Sequence, residues 1–336
     1  MKAFKFAVKR PLLLMVLFLS MASSCAFAQT TESSDLKIKR LYDFLALGTG
    51  ATTGTYYPLG NAFANVWSTR MEKVSVMAHS TRGSVDNIEL LRRKELSLGI
   101  AQSDIVLSAV KGTGSFAGNS YPELRVLSAL FPEVVQIVVP RDSEIETIEQ
   151  LRGRKVVVGA PGSGNALTSL QLLKAAGIGA DQFEPVFLSY DEAIQAMERG
   201  EFAAATIIAG VPTRVIKELH QRIGVRILSF SSNAIMDFTG KLPYLSHISI
   251  ASGTYPDQKE KIETVALMAL LVSNDQLSDD LAYRLLQNLF ANLDYLKQIH
   301  DRAADISPDN YLKGVPDGFL HPAAASFFND FTSGRR

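Results

Sequence analysis

Residues 44–67 read FLALGTGATTGTYYPLGNAFANVW, and the order of their parts decides the fold class. Phe44-Leu45-Ala46-Leu47 is a short apolar run suited to a strand. Gly48 to Tyr57 follow, nearly all glycine, threonine and tyrosine. Beyond them Leu59, Ala62, Phe63, Val66 and Trp67 recur at helical spacing, with Pro58 in the first turn, where a missing N–H is harmless. A strand, a loop of small residues and a helix, in that order, form the repeating unit of a parallel α/β sheet.

The unit recurs outward from this stretch. Residues 74–78 read as a second strand, followed by a helix opening at Ser84 with Val85, Ile88 and Leu91 on one face. Residues 98–101 and 125–130 read as third and fourth strands. A second series starts after the apolar run 134–139, with strands at 156–158, 186–188 and 203–208 and helices over 165–176 and 191–199. The last third differs. Residues 260–273 and 281–291 carry long helical patterns, the second opened by Ser278, Asp279 and Asp280, and the apolar stretch 265–272 fits a core helix. With too few strands for a sheet of its own, this part is expected to pack back on the first series.

At 336 residues the chain has room for about two domains. A content of 47% hydrophobic and 20% charged residues excludes wholesale disorder and a disulfide scaffold. Lys+Arg and Asp+Glu both total 34, but Lys2, Lys5, Lys9 and Arg10 fall in the first 28 residues, which hold no acid. The remainder is therefore slightly acidic, the reverse of a nucleic-acid binder's basic footprint, and no nucleic-acid partner is expected. The basic start, an apolar run over 12–22 too short to span about 30 Å of hydrocarbon, and Ala26-Phe27-Ala28 form a signal peptide over residues 1–28, cleaved after Ala28. A polar, flexible leader over 29–40 follows. Cys25, the sole cysteine, lies inside the signal segment. A lipoprotein anchor there is the less favoured alternative, because Ala22 stands where such sites usually carry leucine. The mature chain is then periplasmic, without disulfides, a thiolate nucleophile or a Cys-ligated zinc.

In open α/β sheets ligands bind beyond the carboxyl ends of the strands. Five of those ends are followed by 48–57, 80–84, 102–104, 159–165 and 209–213, all rich in Gly, Ser, Thr, Asn, Gln or Pro, and nearly all run into a helix start. Helix starts offer free N–H groups and favour anions, and small residues let a ligand approach the backbone. One such loop is most simply a helix cap; five, divided between two series, point to a shared cleft. Dinucleotide and nucleotide readings fail on spacing: Gly48, Gly50 and Gly54 are one residue too far apart for the dinucleotide fingerprint, and Gly159 to Gly164 lacks the following Lys-Ser or Lys-Thr of a P-loop. Ser163 is not in a G-x-S-x-G elbow, and the five histidines are scattered. No enzyme, cofactor or metal is expected.

Leu47-Gly48-Thr49-Gly50 through Gly54-Thr55-Tyr56-Tyr57-Pro58-Leu59-Gly60 resembles the opening of TAXI proteins, the extracytoplasmic solute receptors of one branch of TRAP (tripartite ATP-independent periplasmic) transporters. The likeness continues through Gly83 to Asn87, Ala101 to Asp104, Gly159 to Gly164, Gly210 to Thr213, Gly253-Thr254-Tyr255 and Leu320-His321-Pro322. It implies a type II periplasmic-binding-protein fold: two α/β lobes, two crossover strands, and C-terminal helices packed on lobe one. Lobe one would comprise 41–130 plus 246–336 and lobe two 131–245, with crossings near 130–139 and 242–250. It also implies capture of a small acidic solute, glutamate-like or dicarboxylate, for an ion-gradient-driven permease. The alternative is a periplasmic sensor presenting its solute to a membrane receptor kinase. Carried over residue by residue, the ligand-binding set is Thr52, Thr53, Tyr56, Arg82, Ser84, Gln102 and Ser103 from lobe one, and Ser163, Gly164, Asn165 and Pro212 from lobe two. Arg82 stands where the family usually has glycine, and its planar guanidinium suits a ligand carboxylate. Asp104 is expected to cap its helix or order a neighbour, since a free carboxylate would repel an acidic ligand.

Overall fold

The computed structural model describes residues 43–334. The expected signal segment with Cys25 and Ala28, and the expected leader, lie outside the described residues. The chain runs β1 (Asp43–Gly48), α1 (Tyr56–Arg70), β2 (Val74–His79), α2 (Ser84–Arg92), β3 (Leu98–Gln102), α3 (Ser103–Lys111) and β4 (Leu124–Pro140). It continues through β5 (Lys155–Val157), α4 (Gly164–Ala175), β6 (Glu184–Val186), α5 (Tyr190–Glu198), β7 (Ala204–Ala209), α6 (Arg214–Ile223), β8 (Val225–Ile227) and α7 (Ser232–Lys241). It ends with β9 (Ser246–Ile250), β10 (Ile262–Asn274), α8 (Asp279–Ala291), α9 (Leu293–Ile299) and α10 (Pro322–Thr332). Among the described residues no helix is long and apolar enough to cross a membrane.

The strands make one mixed sheet in the order β2-β1-β3-β10-β4-β7-β5-β6, with β8 added to β4 and β9 to β10. β1 is parallel to both β2 and β3, and β5 to both β6 and β7, as strand–helix alternation demands. β4 and β10 are the long members and run antiparallel to each other, so they join the two parallel groups. Val134 marks the junction, pairing with Ala266 of β10 on one side and with Ala209 of β7 on the other.

Helices cover both faces of the sheet, and the buried side chains fall into four clusters, two at each end. At the β1–β3 end, α1, α8 and α10 pack on one face around Trp67, Phe63, Leu285 and Phe328, while α2 and α3 cover the other with Ile88, Leu91 and Ile105. At the β5–β7 end, α4 and α7 cover one face with Leu172, Leu173 and Phe238, and α5 and α6 the other with Ile194, Ile216 and Leu219. The C-terminal helices thus close on the first series, and the Trp67 indole N–H donates to the Leu285 carbonyl at 2.9 Å. Local chemistry sets the helix starts: Ser278 caps α8 by accepting from Leu281 N–H, with Asp279 and Asp280 in its first turn, and Ser189 and Glu192 form a capping box on α5.

Three readings of the sequence are corrected. Residues 260–273 are not a helix but β10, a strand buried on both faces. The segments 125–130 and 134–139 are not separate strands but one, β4, which carries Pro132 through its middle. The strand that returns to β3 is β10, whereas the expected return at 242–250 covers β9, which pairs with the first half of β10.

Candidate functional site

The carboxyl ends of β1, β2 and β3 face those of β5, β6 and β7 across a cavity of about 310 Å³, at the small end of ligand pockets. Its wall comes from the loops after β1, β2, β5 and β6, the ends of β3 and β7, and Glu133 of β4. Four helices, α1, α2, α4 and α5, begin at that wall, because Tyr56, Ser84, Gly164 and Tyr190 are among its residues. First-turn N–H groups have no partner within their own helix, so the cavity gathers four positive dipole ends.

Of the eleven residues expected to bind ligand, the structure brings eight to this wall: Thr52, Tyr56, Arg82, Ser84, Gln102, Ser163, Gly164 and Asn165. Three lie elsewhere. Thr53 turns inward and is buried. The Ser103 hydroxyl faces β10, where it accepts from the Met268 N–H at 3.3 Å. Pro212 lies past the end of β7, and the wall there is made by Ile208 and Ala209 instead.

The side chains at the wall divide into committed and free groups. Asn165 is committed: its amide donates to the Val158 and Thr206 carbonyls at 2.5 and 2.9 Å and accepts from the Ile208 N–H at 2.6 Å and the Tyr190 hydroxyl at 3.2 Å. What it can still offer a ligand is its backbone N–H. Ser163 is committed too, accepting from Ala166 N–H as the cap of α4 and donating to the Ala160 carbonyl at 2.7 Å. Ser84 accepts from the Gln102 N–H at 3.0 Å. The Gln102 side chain is the reverse case. It is 2% exposed, and both its amide oxygen and its amide nitrogen are buried with no hydrogen-bond partner. A buried amide left unpaired is costly, on the order of 1–3 kcal/mol per group, unless a ligand or water supplies the partner. Gly164 lies tight against it, since a β-carbon there would stand 1.7 Å from the Gln102 oxygen.

Arg82 sits at the mouth with 64% of its side chain exposed, and its Nη2 is 2.7 Å from Asp86 Oδ1. The hydrogen bond to Asp86 holds its protonated form above the ordinary arginine range. Asp104 orders its surroundings as expected: Oδ1 accepts from the Ile105 N–H, and Oδ2 accepts from the Thr168 hydroxyl of α4 at 2.6 Å, across the gap between the two sheet ends. Burial pushes its carboxyl up to about 6, against the pull of these donors.

Sequence reasoning missed Tyr190 and Glu133. The Tyr190 hydroxyl donates to the Ile208 carbonyl at 3.0 Å, and its ring lies against Gly54. Glu133 accepts the Tyr56 hydroxyl at 2.6 Å, and burial raises its carboxyl to about 8. The available signal was an acid inside the apolar run Phe131-Pro132-Glu133-Val134-Val135, where an unpaired charge is rarely tolerated.

A sequence profile of the NMT1-like family matches residues 47–330. Among solved structures the chain is similar to the periplasmic aliphatic sulphonate binding protein SsuA from Escherichia coli, at 17% identity and a TM-score of 0.50 over 85% of this chain and 83% of that one. It is similar to the same degree to a protein from Bordetella bronchiseptica RB50, at 15% identity and a TM-score of 0.50 over 85% of this chain and 88% of that one. At such identities the likeness shows the fold, a periplasmic-binding-protein-like α/β fold with a mixed sheet flanked by helices.

Proposed function

The chain belongs to the NMT1-like family, and from that premise and the cavity we propose that it is an exported solute-binding protein that captures a small molecule between two lobes. The observation that carries the reading is the Gln102 amide, buried and without a partner in the wall of a cavity that both sheet ends build. In this reading β4 and β10 are the crossover strands, and each lobe carries half a site. A solute that touches both halves favours the closed form by its differential contacts.

The solute is a small carboxylate-bearing molecule. Its anionic end is received by the N–H groups at the starts of α2 and α4, with Arg82 at the rim. The protein acts by binding rather than by turnover, in the periplasm, and hands its cargo to the permease of a TAXI-type TRAP transporter. The support for that transporter class is the ordered set of sequence motifs from Leu47 to Pro322. SsuA from Escherichia coli, by its description, binds aliphatic sulphonates. An anionic headgroup on a small solute is the chemistry it shares with the carboxylates proposed here.

Thermal unfolding and calorimetry against a panel of small carboxylates, sulphonates and amino acids test the reading. A solute at about a hundredfold excess over its Kd should add about 2.7 kcal/mol of stability. No stabilisation by any panel member, and no solute carried along in native mass spectrometry of freshly purified protein, would end it. Uptake into vesicles that collapses with the ion gradient supports the TRAP assignment, and uptake that follows ATP instead overturns it.

A further inference from the structure

A cavity built only for anions has no use for a buried acid, yet Glu133 is in its wall and only 3% exposed. It stands on β4 opposite Leu267 of β10, one residue before Val134, where the two ends of the sheet share a strand. The Tyr56 hydroxyl from α1 donates to its Oε2 at 2.6 Å, and the other ionisable groups whose charge acts on it are the Tyr190 phenol from α5 and the Asp104 carboxyl from α3. None of these is a cation. The basic side chain of the cavity is Arg82, which lies at the mouth and is already engaged by Asp86. A carboxyl group taken out of water with one hydroxyl donor either keeps its proton or waits for a positive partner. Burial, with Asp104 adding to it and Tyr56 opposing it, raises this carboxyl to about 8, so in the empty cavity it holds its proton at neutral pH. The starts of four helices supply the complementary pole. The cavity is therefore polarised, with N–H donors at the helix starts and a proton-bearing acid on the shared strand.

We propose that Glu133 receives a protonated nitrogen of the solute, so that the cavity selects small molecules carrying both a cationic nitrogen and a carboxylate over nitrogen-free dicarboxylates. The inference rests on the solute-binding reading and narrows its ligand class. On binding, the carboxyl gives up its proton to solvent and pairs as a carboxylate with the ligand's N–H groups. The Gln102 amide is a further donor and acceptor beside that pole.

The test uses the mature chain and two matched pairs that differ by one amino group, L-glutamate with glutarate and L-aspartate with succinate, in calorimetry near pH 7. In at least one pair the amino member should bind about tenfold or more tighter. Titration in buffers of different ionisation enthalpy should show release approaching one proton per amino ligand bound, and little release with the nitrogen-free partner. Glu133→Gln should weaken the amino member about ten- to a hundredfold and abolish the proton release. If that variant fails to fold, the proton count on the unaltered protein decides alone. Equal or tighter binding of the nitrogen-free member, or binding of the amino member without proton release, overturns the role of Glu133 and leaves the solute-binding reading standing. Failure of all four compounds to bind overturns the ligand class, and the wider panel then decides whether the receptor reading falls with it.

Discussion

Asn87 and Asn165 hold matching places in the two halves of the sheet, each near the start of a helix that begins at the cavity. The Asn87 amide donates to the Thr49 and Ile100 carbonyls at 2.7 and 2.8 Å and accepts from the Thr81 hydroxyl at 2.7 Å. Asn165 ties together the ends of β5 and β7 and the Tyr190 hydroxyl in the same manner. Both are buried, so each of these partners loses its bond to protein and water alike if the amide is removed. Arg82 is the contrasting case, itself exposed and paired with the partly buried carboxylate of Asp86 four residues on. Asn165→Ala should therefore cost about 3 kcal/mol in urea unfolding. Arg82→Ala should stay within about 1 kcal/mol of the parent, because exposed ion pairs contribute little. Solute affinity should order the variants differently: Arg82→Ala should weaken an acidic solute up to about tenfold, by loss of a charge at the rim. An Arg82 variant with unchanged affinity would assign that side chain to Asp86 alone, and a stable Asn165→Ala protein would show that water can replace the amide.

At the level of elements, α3 and β4 each bury a carboxyl that holds its proton more tightly folded than unfolded. Asp104 is raised to about 6 and Glu133 to about 8, in both cases chiefly by burial. The folded chain then binds more protons than the unfolded one, so stability falls as pH rises. The contribution is complete below the unfolded carboxylate range near pH 4 and is lost above about 6 for Asp104 and about 8 for Glu133, at up to about 1.4 kcal/mol per pH unit for each group. Glu263, which its hydrogen bond from Lys261 and then those from Ser249 and His247 hold down at about 2, acts in the opposite sense but below this window. The melting temperature of the unliganded protein should drop from about pH 5 to about pH 8.5, and Glu133→Gln should remove the part between about 6 and 8. A flat profile in the unaltered protein would mean that neither carboxyl is desolvated as the fold implies. The two strands involved also explain what the sequence reading lost. β10 reads as helix because Ile262–Asn274 is apolar on both faces, so the alternation that marks a half-buried strand is missing, and its Leu, Met and Ala residues suit either state. What makes it a strand is pairing with β3, β4 and β9, which lie more than ten residues away or much farther. Pro132 split β4 on paper because proline cannot donate to a ladder; here it falls opposite Met268, beside the irregularity in register with β10. The loops were legible because glycine and helix-cap residues act locally. Glu133 was not, since its meaning depends on Tyr56, 77 residues away.

For the whole molecule, polar contacts bridge the two sheet ends beside two apolar ones, the Tyr190 ring on Gly54 and Leu167 of α4 on the cluster under α2 and α3. Thr168 of α4 donates to Asp104 of α3, and the Gly210 N–H at the end of β7 donates to the Thr55 hydroxyl at 3.1 Å, with the Arg302 side chain packed against Gly210. These bonds can exchange for water at small net cost, so the equilibrium is expected to be poised and tipped by the ligand. At the mouth, a β-carbon at Gly83 would stand 3.8 Å from that of Ser163, within the spacing of a disulfide. The φ of +108° at Gly83 would strain a cysteine there by about 1–3 kcal/mol, which slows the bond without forbidding it. Cys25 is the sole native cysteine, so in protein that starts at Gln29 the pair Gly83→Cys with Ser163→Cys would have no competitor. Oxidation should run faster with solute bound than without it. The oxidised protein should then retain its solute through dialysis that empties the reduced form. Oxidised protein that still exchanges solute freely would show that the mouth between Gly83 and Ser163 is not the route of entry, and that the halves need not part for a ligand to pass.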